Sequence, residues 1–135
     1  MAKQFTLGKD ERLKSRKAIE QLFKEGKRFT VSPFRVYYLP TTGIQGQNLQ
    51  FGIGVSAKNF KKAVDRNRVK RLTREAYRVQ KNLLQDQLKV KDKGLHLFLI
   101  YTHNELPDFK LVNDKVDLIL KKLSRLIDEN NTSDS

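Results

Sequence analysis

Cysteine and tryptophan are absent from this chain, and histidine occurs only twice. Without cysteine there is no disulfide and no thiolate metal site, which suits a reducing compartment. The N-terminal stretch MAKQFTLGKDERLK lacks the apolar core of a signal peptide, and no apolar run approaches ~18 residues. These absences describe a soluble, cytoplasmic protein. A Gly-rich phosphate loop, a zinc-ligand spacing and a nucleophile motif are missing too. His96 and His103 fall on and at the end of an expected strand, where partly exposed fillers are the ordinary reading, and the acids are scattered. Neither a carboxylate set for Mg²⁺ nor a histidine pair for acid–base work stands out, so we expect no catalytic residue and no protein-held metal. Acids are the remaining shortage: 15 against 28 Lys and Arg, a net charge of +13 over 135 residues. An excess of that size calls for RNA, DNA or an acidic membrane surface as partner.

Much of the excess sits in one stretch. From Lys58 to Lys81 there are ten Lys or Arg and only two acids, Asp65 and Glu75. At about 100° per residue, AVDRNRVKRLTREAYR (63–78) divides into two faces. Val69, Leu72, Ala76, Val79 and Leu83 share one arc, the expected buried stripe. Arg66, Asn67, Lys70, Arg71, Arg74 and Arg78 share the other. Charge runs are usually solvated faces, but a solvated face ordinarily carries both signs. Like charges packed this closely repel, so the helix gains most from an anionic partner. The preponderance of Arg over Lys favours bidentate phosphate recognition, the footprint of nucleic acid. A membrane partner is disfavoured, because the opposite arc is aliphatic and has no Trp or Phe anchors. Asp65 complements the helix dipole, and Glu75 is placed to pair with Arg71 at i,i+4.

The chain is long enough for one domain with its own core. Residues 1–12 read as an N-terminal arm, 13–127 as the folded domain and 128–135 as a disordered tail. Ser15 can cap a short helix bearing Ala18, Ile19, Leu22 and Phe23 on one face, with Gly26 as its stop. Residues 28–39 are extended and interrupted at Pro33, which allows an extra short strand near 28–31. Residues 40–48 form a loop. Leu49–Ser56 alternates large (Leu49, Phe51, Ile53, Val55) with small (Gly52, Gly54), leaving room on the small face for another backbone or a flat base. The basic helix begins between Asn59 and Ala63 and fades near Gln87. Leu95–Thr102 is apolar on both faces, the pattern of an interior strand, and a last amphipathic helix spans 112–127. The expected fold class is therefore α+β: a single-domain α-β sandwich with one mixed sheet of three to four strands and about three helices, in the order α-β-β-α-β-α. Phe23, Tyr37 and Phe60 lie beside the basic surface and can stack on unpaired bases, although core packing is the usual role of a helix Phe.

Arg66-Asn67-Arg68, in its setting AVDRNRVKRLTREAYR, resembles the RNR signature of the bacterial ribonuclease P protein component. The resemblance extends to ERLKSRKAIEQLFKEGKRF (11–29) and FGIGVSAKNFKKA (51–63). It implies an α-β sandwich with a left-handed βαβ crossover, against the usual handedness. It also implies two partners, the ribonuclease P RNA subunit and precursor tRNA, with the RNA carrying out hydrolysis. Mg²⁺ is then held mainly by that RNA and the substrate, and the protein is a monomer within the ribonucleoprotein. Carried onto this sequence, the RNA-binding set is Lys58, Lys61, Lys62, Arg66, Asn67, Arg68, Lys70, Arg71, Arg74 and Arg78. The groove for the single-stranded 5′ leader takes Phe23 and Tyr37, with Gly52 and Gly54 as its floor. Two departures stand out: Ala57 replaces the first of two usual lysines, and Tyr101-Thr102 ends the last strand where a basic residue is common. The alternative is a basic ribosomal or RNA-chaperone protein without a processing role. A protein-only nuclease would instead depend on His96 and His103.

Overall fold

The computed structural model describes residues 12, 13, 15–42 and 49–133. Its elements are α1 (Arg16–Glu25), β1 (Lys27–Val31), β2 (Phe34–Thr42), β3 (Leu49–Val55), α2 (Ala63–Gln80), α3 (Asn82–Val90), β4 (Lys93–Tyr101) and α4 (Phe109–Ser133). The four strands form one mixed sheet in the order β1-β2-β4-β3. β1 with β2 and β2 with β4 are antiparallel, and β3 with β4 is parallel. The α+β class and the mixed sheet therefore hold, with four helices rather than three.

Local chemistry accounts for most boundaries. Ser15 Oγ accepts the Ala18 N–H at 3.3 Å, and the Gly26 N–H closes α1 on the Leu22 carbonyl at 2.8 Å. Pro33 sits in the β1–β2 turn after a cis peptide bond, with Val31 opposite Phe34. β2 then runs through Pro40 to Thr42, where a loop is expected from the sequence. Pro40 is tolerated because β1 ends opposite Tyr38, so that side of β2 has no ladder partner there.

The sheet has a full face and a sparse one. Phe34, Val36, Phe51, Leu95, Leu97 and Leu99 join Val69, Tyr77, Leu84, Leu88, Val116 and Ile119 in one core beneath α2, α3 and α4. β4 is interior as expected, but the side chains it buries fully, Leu95, Leu97, Leu99 and Tyr101, lie on one face. His96, Phe98 and Ile100 are half-buried on the other face, where α1 packs on β2. Leu97 lies fully buried at the middle of this core. Truncating it to alanine should destabilise the fold by about 2–5 kcal/mol, read from urea unfolding.

The expected buried stripe of the basic helix is displaced. Val79 and Leu83 are 43% and 78% exposed, while Thr73 and Tyr77 are buried beside Val69 and Ala76. The Thr73 hydroxyl donates to the Val69 carbonyl at 2.8 Å, which removes its objection to burial. The Tyr77 ring stacks on Phe51 at 3.9 Å and 8°. That aromatic surface outweighs two smaller aliphatics and turns the helix by roughly 60° at 100° per residue. The single helix expected to Gln87 is also two, divided at Lys81, whose side chain is buried.

At the other end, α4 continues to Ser133, past the tail expected from Asp128. Adding residues to a helix already packed below costs little, so polar composition did not end it. Residues 134 and 135 lie outside the described residues, as do residues 1–11 of the expected arm. Arg12 is no free arm: it bridges Phe51 on the outer edge of β3, and the Leu13 N–H donates to the Phe51 carbonyl at 2.8 Å.

Candidate nucleic-acid interface

The rotation of α2 sorts its basic residues into two rows. Asn67, Arg68 and Arg71 are exposed, with Lys58, Lys61 and Lys62 exposed on the approach. Arg66, Lys70 and Arg74 form an i,i+4 row closer to the protein, each half-buried. Among the described residues, Arg68, Lys70 and Arg71 meet no carboxylate. Glu75 pairs with Arg78 at i,i+3 rather than with Arg71, and this hydrogen bond holds the Glu75 carboxyl below its ordinary range. Among the described residues, Arg78 is thus the one member of the expected set tied to an acid.

Arg66 has a structural duty as well. Its Nη1 donates to the Phe60 carbonyl at 2.6 Å and to the Lys61 carbonyl at 3.0 Å. These bonds lock the approach segment against the first turn of α2. Arg66→Lys keeps the charge and loses the fork, so amide exchange over residues 59–62 should accelerate at least roughly tenfold, with little change in global melting.

The sparse sheet face supplies the second part of the site. Phe23 is 43% exposed on α1 and meets Tyr37 edge-on at 4.8 Å and Phe98 at 5.3 Å. Phe98 is the residue that sequence reasoning missed. It pairs in register with Tyr37 on one side and Gly52 on the other, an alignment set by strand order and not recorded in the spacing of any one strand. Gly52 and Gly54 are not an open floor. A Cβ on Gly52 would stand 2.5 Å from the Phe98 ring, and one on Gly54 would stand 3.1 Å from it. The glycines make room for Phe98, and Phe98 becomes the floor. Phe60, by contrast, is only 6% exposed and stacks on Tyr101 at 6.0 Å, a core role.

Helix and groove meet at one residue. Arg74, with Arg12, Leu13, Ile19, Gly52 and Phe98, bounds a groove of about 300 Å³. Burial and, second, the charge of Arg12 push the Arg74 guanidinium below its usual pKa. Two guanidinium groups held close at an aromatic floor make a clamp for phosphate whose bases can stack. The sequence model of the Ribonuclease P family matches residues 7–124.

This chain belongs to the ribonuclease P protein family. The ribonuclease P protein component of Porphyromonas gingivalis is 43% identical over 108 residues, which is 80% of this chain and 79% of that protein. That of Chlorobium phaeobacteroides is 30% identical over 128 residues, covering 87% and 88%. The solved ribonuclease P protein from Thermotoga maritima superposes with a TM-score of 0.64 at 32% identity, over 83% of this chain and 96% of that one. His96 lies within β4 and His103 two residues past its end, on separate parts of the surface: the His103 ring is 6.1 Å from that of Tyr101, and the five residues from His96 to Tyr101 span about 16 Å of strand. Burial lowers the His96 pKa, and His103 Nε2 lies 3.2 Å from Ser32 Oγ. Among the described residues no cluster of three or more His, Cys, Asp or Glu could hold a metal. No helix among them is long and apolar enough to cross a membrane.

Proposed function

We propose that this protein docks the ribonuclease P RNA on the outer row of α2 and its approach, and receives the single-stranded 5′ leader of precursor tRNA in the groove under Arg74. Family membership makes the chain a subunit of the ribonuclease P endoribonuclease, which removes that leader during tRNA maturation. The observation that carries the finer assignment is the junction at Arg74, where a cationic row from Arg66 and Lys70 enters a groove floored by Phe98. Lys58, Lys61, Lys62, Asn67, Arg68 and Arg71 face the RNA subunit in this reading. Phe23 and Tyr37 stack on leader bases, and Arg12 joins Arg74 on the leader backbone. Stacking and charge read no base edges, so leader binding is largely indifferent to sequence.

Hydrolysis belongs to the RNA subunit, with Mg²⁺ held mainly by RNA and substrate. The protein acts as a monomer in the cytoplasm, neutralising phosphate where RNA and leader converge. The test is cleavage of a precursor tRNA by a ribonuclease P RNA at low Mg²⁺, with and without this protein. A clear acceleration that requires the leader is expected. An unchanged rate would reduce the protein to a general RNA binder of the ribosomal or chaperone kind. Turnover by the protein alone would overturn the division of labour.

A further inference from the structure

Between the approach segment and the loop after β4 lies a second depression, about 600 Å³ in volume. Lys61, Lys62, Asp65, Asn104, Glu105 and Leu106 line it. Backbone carbonyls on both sides of it are held by hydrogen bonds. Tyr101 Oη donates to the Glu105 carbonyl at 2.7 Å, and Asn59 Nδ2 donates to the Thr102 carbonyl at 3.2 Å. Thr102 is itself held through its N–H and hydroxyl on the Pro33 carbonyl, at 2.9 and 3.0 Å. Arg66 pins the opposite wall through the Phe60 and Lys61 carbonyls. The Tyr101-Thr102 departure from a basic strand end thus has a use: it braces this loop. Walls held in this way spare a ligand part of the cost of ordering them.

The lining is chemically mixed, and that restricts what can enter. Inorganic phosphate would meet two carboxylates, and a metal ion would meet two ammonium groups. A nucleotide satisfies both sets. It carries a phosphate for the exposed Lys61 and Lys62, a flat base for Leu106 (46% exposed), and amino and imino hydrogens for the Asp65 and Glu105 carboxylates. Guanine carries N1–H and N2–H donors side by side, a match for a carboxylate. Uracil sets a carbonyl on each side of its single N–H, where a carboxylate repels it. We infer that this depression takes one unpaired guanine nucleotide, extruded from the RNA docked on α2. The inference rests on α2 as the RNA face and adds a base-reading contact to a surface that otherwise grips backbone.

The test is an amide chemical-shift titration of the full chain with GMP, UMP and ribose 5-phosphate. GMP should shift Lys62, Asn104 and Leu106 saturably, with UMP at least about fivefold weaker because its carbonyls face the carboxylates. Glu105→Gln and Leu106→Ser should each weaken GMP; both side chains are exposed, and the Tyr101 bond to the Glu105 backbone survives either change. Equal response to ribose 5-phosphate, or GMP shifts untouched by both variants, would overturn the inference. The parent reading is judged separately, by binding of the RNA subunit to Arg71→Ala. If that variant binds RNA normally, the RNA face has been misplaced whatever GMP does. If it binds weakly while GMP leaves the depression unmoved, only the guanine pocket falls.

Discussion

Arg68→Ala combined with Arg71→Ala should weaken binding of the ribonuclease P RNA on the order of 10- to 100-fold at 0.15 M salt. The log–log slope of affinity against salt should flatten by about 1.4 to 1.8, since each lost phosphate contact removes about 0.7 to 0.9. Both side chains are exposed and meet no carboxylate among the described residues, so the loss reports on the partner and not on folding. The free protein should melt at the same temperature or slightly higher, because two repelling charges leave a crowded helix. Filter binding across a salt series and a thermal melt supply both readings. An unaltered slope with normal affinity removes α2 from the interface. Glu75→Gln is the useful opposite: it releases Arg78 and should steepen the slope.

Gly52→Ala should disturb the groove more than any single charge removal. The new methyl would stand 2.5 Å from Phe98 Cδ2 and 2.7 Å from Cε2, with the Leu13 carbonyl at 3.4 Å behind it. The ring has to leave its place, taking its edge-on contact with Phe23 along. Overpacking of this kind costs about 1–3 kcal/mol. Leader affinity should drop by roughly tenfold, the order of one lost stacking interaction. Gly54→Ala, at 3.1 Å from the same ring, should be milder. Phe98→Ala vacates the space that the methyl needs, so the double variant should recover part of the stability that Gly52→Ala loses, a non-additivity expected of touching residues. Strict additivity in urea unfolding would mean that Phe98 does not occupy the glycine face.

Charge and composition already announced the partner class. Ten cations with two acids over residues 58–81 leave little to explain except a polyanion, whatever the fold. The alternation of Leu49–Ser56 and the Ser15 cap were equally legible, because period-2 burial and capping are local rules. What failed was any inference that ranked side chains by polarity alone. Thr73 and Tyr77 look polar in a list, yet one satisfies its hydroxyl within the helix and the other lays a whole ring on Phe51. Their burial rotates α2, turns Arg66 toward the approach carbonyls and sends Arg74 to the groove.

The sequence by itself determined that this chain is cation-rich, with most of its excess charge on one helix and its approach, because charge and residue inventory do not depend on packing. Only the tertiary structure decided which cations remain available, and that Phe98 rather than empty space covers Gly52 and Gly54. Those outcomes depend on strand order and helix rotation, which bring together residues 46 positions apart in the chain, as Gly52 and Phe98 are. Spacing along one element carries no record of its neighbour, so no periodicity could have placed that ring.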